Sequence, residues 1–303
     1  MGKHAYLIMA HGLIDQLCML IKAIDDERND IYLHLDGKCR DDLSALQNLC
    51  LRGNLIFTKR RNVSWGGGAS QIDAEFILLE AAVENGPYDF YHLITGVDFP
   101  LASQNEILAF YDKHPNTQFI SCRSIEGEES NYLNRIRFFY PFQEVFSRQS
   151  FWGKVSRKVG VSLQEFLHIN RLDSSITYGV GSAYFDITDD FARYVLSRRQ
   201  WASEHFKKTL CADEIFLQTI YLNSPFYQED IHRYKSNLAD NKYIKRTYLD
   251  VNRAIDWTRG NPYTFGISDK EMLLSSHCFF ARKFDERIDK EIINFLYQHL
   301  IND

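Results

Sequence analysis

Tyr6-Leu7-Ile8-Met9-Ala10-His11-Gly12 decides the fold. Four apolar residues followed by a small residue, a polar one and a glycine read as a buried strand running into a turn. An apolar-periodic segment from Leu13 to Ile24 comes next and reads as helix. Ile31-Tyr32-Leu33-His34-Leu35 then alternates and stops at Asp36-Gly37, which marks a second strand. Leu43 to Leu51 has helical spacing, and Asn54 to Thr58 supplies a third strand. This βαβαβ opening predicts an α/β fold: a doubly wound, mostly parallel sheet with helices on both faces. Ligands of such sheets gather beyond the carboxyl ends of the strands. His11, Asp36 and the segment after Thr58 fall there.

Outward from this opening the alternation continues. Ser64-Trp65-Gly66-Gly67-Gly68-Ala69-Ser70 leads into a helix from Ile72 to Glu84. Its glycines match neither a dinucleotide fingerprint nor a phosphate loop. They allow a close backbone approach to a ligand or form a plain flexible turn. Tyr88 to Ile94 reads as strand, Asn105 to Lys113 as helix and Gln118 to Ser121 as strand. From Cys122 to Tyr178 the pattern breaks into an irregular, aromatic and basic insertion carrying Arg135, Arg137, Arg148, Lys154, Arg157 and Lys158. Such insertions are binding loops or solvated excursions. Val180 to Thr188 reads as one strand, in which Gly181 points to close approach by another backbone or a ligand. Thr188 or Asp189 caps a helix through Leu196. A mixed stretch, Tyr227 to Leu249, carries Lys235, Lys242, Lys245 and Arg246, and a last helix runs to about Leu300.

The 303 residues show no repeat or linker and read as one domain, 1–303. A formal net charge of −5 argues against nucleic acid as a partner. The six cysteines form no CxxC pair and have no zinc spacing, so buried free thiols in a reducing compartment are expected. Ala5 to Ala10 is too short an apolar run for a signal peptide. The expected setting is cytoplasmic, with peripheral contact at a membrane surface left open.

Chemistry concentrates at Leu210-Cys211-Ala212-Asp213-Glu214-Ile215-Phe216. The acidic pair stands where polar sequence gives way to an apolar run, the start of a helix. Asp213 fits the N-cap or N1 position and Glu214 is left to project. Read alone, the pair is a capped helix and nothing more. Arg282-Lys283 sits in an apolar context, as a wall of cations or a snorkelling surface pair. The chain contains no Asp-x-Asp, so no metal is expected.

Six segments in order carry a resemblance: HLDGK (34–38), SWGGGAS (64–70), YDFYHLITGVDFPL (88–101), GSAYFDIT (181–188), ADEIFLQT (212–219), and DWTRGNP (256–262) with FARKFD (280–285). With these the chain resembles the core-2/I-branching β-1,6-N-acetylglucosaminyltransferases, glycosyltransferase family 14, which includes the peptide O-xylosyltransferases. The likeness spans nearly the whole chain and is weakest from Cys122 to Tyr178. It implies a GT-A-type fold and an inverting, metal-independent transfer of a sugar from a UDP-sugar donor, N-acetylglucosamine before xylose or glucose. No cofactor is implied beyond that donor. Glu214 would be the general base, and Lys283, with Arg259 or Arg282, would hold the diphosphate. Asp36, Ala10, His11 and Trp65 would meet the uridine end, and Asp98, Gly181 and Ser182 would complete the donor site. Residues 1–121 then form the nucleotide-binding half, 122–178 a variable acceptor-side insertion, and 179–303 the catalytic and diphosphate-binding half.

The animal members carry an anchor and disulfides that this sequence lacks. The implied relative is bacterial, acting on a glycan or lipid-linked oligosaccharide acceptor. Two other readings stay open: a non-catalytic nucleotide- or glycan-binding protein on this scaffold, and a retaining, metal-dependent transferase.

Overall fold

The computed structural model describes residues 2–47, 49, 52–66, 68–125, 130–146, 150–228 and 253–302. The chain opens with β1 (His4–Ala10), α1 (Ile14–Ile24), β2 (Asn29–Leu35), β3 (Asn54–Phe57), α2 (Ser70–Asn85) and β4 (Phe90–Thr95). It continues through β5 (Asp98–Pro100), α3 (Gln104–Asp112), β6 (Phe119–Ile120), β7 (Arg123–Ser124), α4 (Ser130–Arg137) and α5 (Phe151–Phe166). Next come β8 (Gly179–Val180), β9 (Phe185–Ile187), α6 (Asp189–Ser197), α7 (Arg199–Phe206) and α8 (Phe216–Leu222). The last described elements are β10 (Arg253–Ile255), α9 (Lys270–Leu274), β11 (Phe280–Arg282) and α10 (Lys290–Asn302).

The central sheet has the order β3-β2-β1-β4-β9-β6. Its first four strands pair in parallel, and β9 runs antiparallel to both β4 and β6. Period-two alternation sends Ala5, Leu7 and Met9 of β1 into one core and Tyr6, Ile8 and Ala10 into the other. The first core packs α2, α6, α7 and α8 against the sheet, and the second packs α1, α3 and α10. This is the expected doubly wound α/β architecture, in keeping with a GT-A-like fold. A smaller sheet, β10-β11-β5, lies beside it and presents Arg282 opposite Asp98.

Three expectations need correction. Among the described residues of the helix expected from Leu43 to Leu51 there is a single 3₁₀ turn, Ser44–Leu46, after which Gln47 is extended. Asp42 accepts from both the backbone and the hydroxyl of Ser44, a local turn that competes with helix. The strand expected from Val180 to Thr188 is two short strands, β8 and β9. Between them Gly181 passes so close to the Ser121 carbonyl that a Cβ would lie 1.7 Å from its oxygen. Another backbone, not a ligand, therefore requires that glycine. Among its described residues the irregular insertion holds two helices, α4 and α5. The α7 helix was not foreseen, and the basic stretch carrying Lys235, Lys242, Lys245 and Arg246 lies outside the described residues.

A buried polar network ties the two sheets together. Asp186 of β9 accepts from the Tyr111 hydroxyl at 2.7 Å, bonds His92 Nδ1 at 2.9 Å, and pairs with Arg253 of β10 at 3.3 Å. Arg253 also donates to the Leu93 carbonyl at 2.7 Å. Burial raises the Asp186 carboxyl, but the Arg253 charge and its hydrogen bonds overcome this and hold it below its usual value. Its stabilising contribution is present above the ordinary aspartate range and is lost as pH falls through the lowered value. Asp186→Asn removes the buried charge that His92, Tyr111 and Arg253 all meet and is expected to cost about 3–5 kcal/mol. Urea denaturation at neutral pH checks this, and an unchanged midpoint would contradict it.

Candidate active site

The acidic pair lies where sequence reading put it, in a different local form. Cys211 adopts φ 50° in the left-handed region, followed by a 3₁₀ turn, Ala212–Glu214, and then α8. A non-glycine residue there stores strain, which surrounding structure must hold. Asp213 is therefore not a helix cap. Its Oδ2 accepts from Gln71 Nε2 at 2.8 Å, and its Oδ1 is enclosed with no partner among the described residues.

Glu214 points the other way. Its side chain is 40 % exposed, and its Oε2 accepts from Arg135 Nη1 of α4 at 2.6 Å. Among the described residues no hydrogen bond reaches Oε1. Sequence reading had Arg135 only as one of several basic residues, and no spacing signal links α4 to Glu214.

Burial, and then the adjoining Glu214 charge, push the Asp213 carboxyl up to about 7. Glu75, wholly enclosed on α2, is also pushed well above its usual value, by burial and then by Asp213. The folded state thus holds the Asp213 proton more tightly than the unfolded chain does. Stability falls as pH rises from about 4 to about 7, at no more than about 1.4 kcal/mol per pH unit from this group. Asp213→Asn should flatten that descent in urea midpoints measured across the range. Parallel descents in variant and parent would contradict the assignment.

A circuit of contacts runs from the pair toward the end of β1 and toward β11. Gln71 also accepts from the Gly66 amide at 2.8 Å, and Cys211 Sγ lies 3.9 Å from the Gly66 carbonyl. The amide of Gly68 goes to the Ser64 carbonyl, so both described glycine amides close the turn and neither is left for a ligand. Gly67 lies outside the described residues. Trp65 donates from Nε1 to Asp36 at 2.7 Å, and its ring lies 4.9 Å from that of His11 at the end of β1. Burial lowers the His11 imidazole and the Arg282 charge acts the same way, against the pull of Asp36.

On the far side, the Glu214 carbonyl accepts from the Gly181 amide at 3.0 Å. The Ser182 carbonyl accepts from Gln218 Nε2 at 2.6 Å. Two residues on, the Tyr184 ring lies beneath the Arg282 guanidinium, 5.2 Å from its centroid. The segment between β8 and β9 thus joins Glu214 to the cationic end of β11. Arg282 Nε is buried without a hydrogen-bond partner, and Lys283 makes no ion pair among the described residues.

Not every expected residue offers itself to a donor. Asp36 is buried, and its oxygens accept from the amides of Lys38 and Val63 and from Trp65. It shapes the rim and aims the Trp65 ring. Asp98 is fully buried with both oxygens bonded to Thr95, so it closes the turn after β4. Arg259 is committed to Asp256 at 2.5 Å and Asp269 at 2.8 Å. Of the two candidate arginines, Arg282 is the one with donor capacity left. His11, Trp65, Ser182, Arg282 and Lys283 remain as candidates with Glu214, and Ala10 is buried at the end of β1.

Beside Trp65 a cavity of about 350 Å³ opens between the Ser64–Gly66 turn and α5. It is lined by Phe139, Phe142, Phe146, Leu163 and Leu167 among others, and by Leu210, whose amide donates to the Arg135 carbonyl at 3.1 Å.

The model of the Core-2/I-Branching enzyme family matches residues 4–274. Xylosyltransferase 2 of Canis lupus familiaris is 25 % identical over 308 residues, which cover 98 % of this chain and 33 % of that protein. Xylosyltransferase 2 of Rattus norvegicus is 24 % identical over 311 residues, with the same coverage. Xylosyltransferase 1 of Canis lupus familiaris is 22 % identical over 308 residues, 98 % of this chain and 30 % of that protein. The chain spans about a third of the length of the curated relatives it matches.

Proposed function

Because the chain belongs to the Core-2/I-Branching enzyme family, glycosyltransferase family 14, we propose that it is an inverting glycosyltransferase using a UDP-sugar. One observation carries this reading. Arg135 holds one oxygen of Glu214 and leaves the other without a described partner, and the segment from Gly181, bonded to the Glu214 carbonyl, to Tyr184, beneath the Arg282 guanidinium, links that carboxylate to the cationic end of β11.

In this reading Oε1 of Glu214 takes the proton of an acceptor hydroxyl while that oxygen attacks C1 of the donor sugar. The C1–O bond to the diphosphate breaks on the opposite face, and the bonding pair leaves with UDP. One displacement inverts the anomeric carbon. The charge growing on the diphosphate is met by the Lys283 ammonium and the Arg282 guanidinium. These cations, in a chain without Asp-x-Asp, support transfer without a metal. His11 and Trp65 supply ring faces for the uridine end. The acceptor is a glycan hydroxyl, free or lipid-linked. The five described cysteines are buried and form no disulfide among the described residues, which fits a cytoplasmic setting.

N-acetylglucosamine is the sugar we assign, and the names of the relatives favour xylose as a second reading. A thermal-shift series with UDP, UDP-N-acetylglucosamine, UDP-xylose and UDP-glucose, with and without EDTA, tests donor and metal together. Stabilisation that survives EDTA, with slow release of UDP from the donor, is the expected result. Binding without any release would leave a nucleotide-sugar-binding protein. Stabilisation abolished by EDTA would reject metal independence.

A further inference from the structure

The α5 helix is turned inside out. Gly153 and Gln164 face the protein and are buried, and the Gln164 side chain bonds the backbone of Phe139 at 2.7 and 3.0 Å. The apolar side faces away: Phe151, Trp152, Val159 and Phe166 are exposed, Trp152 by 65 % and Phe166 by 79 %. At 100° per residue these side chains share one face. A soluble helix normally shows the reverse, and a contiguous exposed apolar face of this kind marks an interaction surface.

Charge indicates what covers it. Lys154 and Lys158 flank the apolar face along the helix, and Glu165 is the helix's one acidic residue. Lys208 places its ammonium 5.4 Å above the Phe139 ring, with Lys207 adjoining. None of these four lysines makes an ion pair among the described residues. Aromatic residues on one face with lysines at its border suit the interface of an anionic bilayer. A second copy packed symmetrically on this face would bring the same lysines together.

The inner side of α5 lines the apolar cavity, which therefore lies between this outer face and the turn carrying Trp65. Gly160 lines it as well, and a Cβ there would meet nothing within 4 Å. Through Leu210 and Trp65 the cavity adjoins the surroundings of Glu214. Its volume falls within the range of ligand pockets.

We propose that this cavity seats the hydrocarbon part of a lipid-linked acceptor, drawn from an anionic bilayer on which α5 lies. The inference rests on the transferase reading for the word acceptor, and on the cavity and helix alone for the lipid. Held this way, the lipid lies in the apolar pocket while its saccharide extends past Trp65 toward Glu214.

The test uses the full chain with dodecyl β-D-glucoside, below its critical micelle concentration, as the probe. Calorimetric titration should show saturable binding that glucose does not reproduce. Gly160→Phe should weaken that binding by about tenfold or more while UDP binding is unchanged. Gly160→Leu serves as the second variant, since either residue favours helix over glycine. In sedimentation, the parent should pellet with phosphatidylcholine vesicles containing phosphatidylglycerol and not with phosphatidylcholine alone. Trp152→Glu with Phe166→Glu should abolish pelleting and retain glucoside binding. Equal glucoside affinity in parent and both Gly160 variants would overturn the cavity assignment. A dimer in buffer that these two glutamates dissolve, without vesicle binding in the parent, would assign the face to a second copy and overturn the bilayer. Failure to bind UDP would sink the transferase reading alone.

Discussion

Glu214→Gln is expected to lower glycosyl transfer by about 10²–10⁴-fold, the usual contribution of a positioned general base, with affinity for the UDP-sugar retained. Glutamine keeps the volume and an oxygen for Arg135 but cannot take the hydroxyl proton. The loss must therefore fall on the chemical step and leave donor binding intact. The fold should tolerate the change. The ion pair with Arg135 is 40 % exposed on its acidic side, and such pairs contribute only about 0–1 kcal/mol. Initial rates of UDP release with saturating acceptor, alongside donor titrations of parent and variant, check both halves. Full activity in the variant would reject Glu214 as the base, and equal loss of binding would make it a donor ligand.

Lys283→Ala is expected to weaken UDP by about 10–100-fold, from the roughly 1.5–3 kcal/mol of a charge-assisted hydrogen bond to phosphate. Uridine, which has no phosphate, should bind both forms alike. The comparison separates a lost partner from a disturbed site, because a displaced β11 would weaken both ligands. Arg259→Ala should not reproduce the effect, since that guanidinium is tied to Asp256 and Asp269 within its own loop. If Arg259→Ala weakens UDP as Lys283→Ala does, the assignment of Arg282 as the partner fails.

The sheet was legible because its signals are local. The residues that mark a buried strand such as Tyr6–Met9, or a turn such as Asp36-Gly37, adjoin one another in the sequence, and their pattern dictates the element. What escaped reading was set by contacts between distant segments. Gly181 splits an apparent strand because the Ser121 carbonyl lies against it. Asp213 fails to cap its helix because Gln71, from α2, takes its carboxylate. The Leu43–Leu51 helix is lost to a side-chain turn at Asp42, a local signal present in the sequence.

The site divides in the same way. Glu214 and Lys283 followed from motif likeness; the structure leaves the Glu214 side chain 40 % exposed and Lys283 without an ion pair among the described residues. Asp36, Asp98 and Gly181 lie in the matched segments too, yet each has a structural task that occupies it. Arg135 escaped because its segment is the least similar part of the chain and its partner is 79 positions away. The outward apolar face of α5 was equally hidden. Helical periodicity reveals that a helix has two faces but not which of them meets the protein.

The central claim is that Glu214 and the Arg282–Lys283 pair act on opposite sides of one anomeric carbon. A crystal structure of the Glu214→Gln protein with intact UDP-sugar tests it most directly. The account predicts the diphosphate within hydrogen-bonding distance of Lys283 Nζ, and the face of C1 opposite the diphosphate turned toward the side chain at position 214. A diphosphate bound away from Lys283, or a sugar whose C1 faces away from position 214, would contradict it.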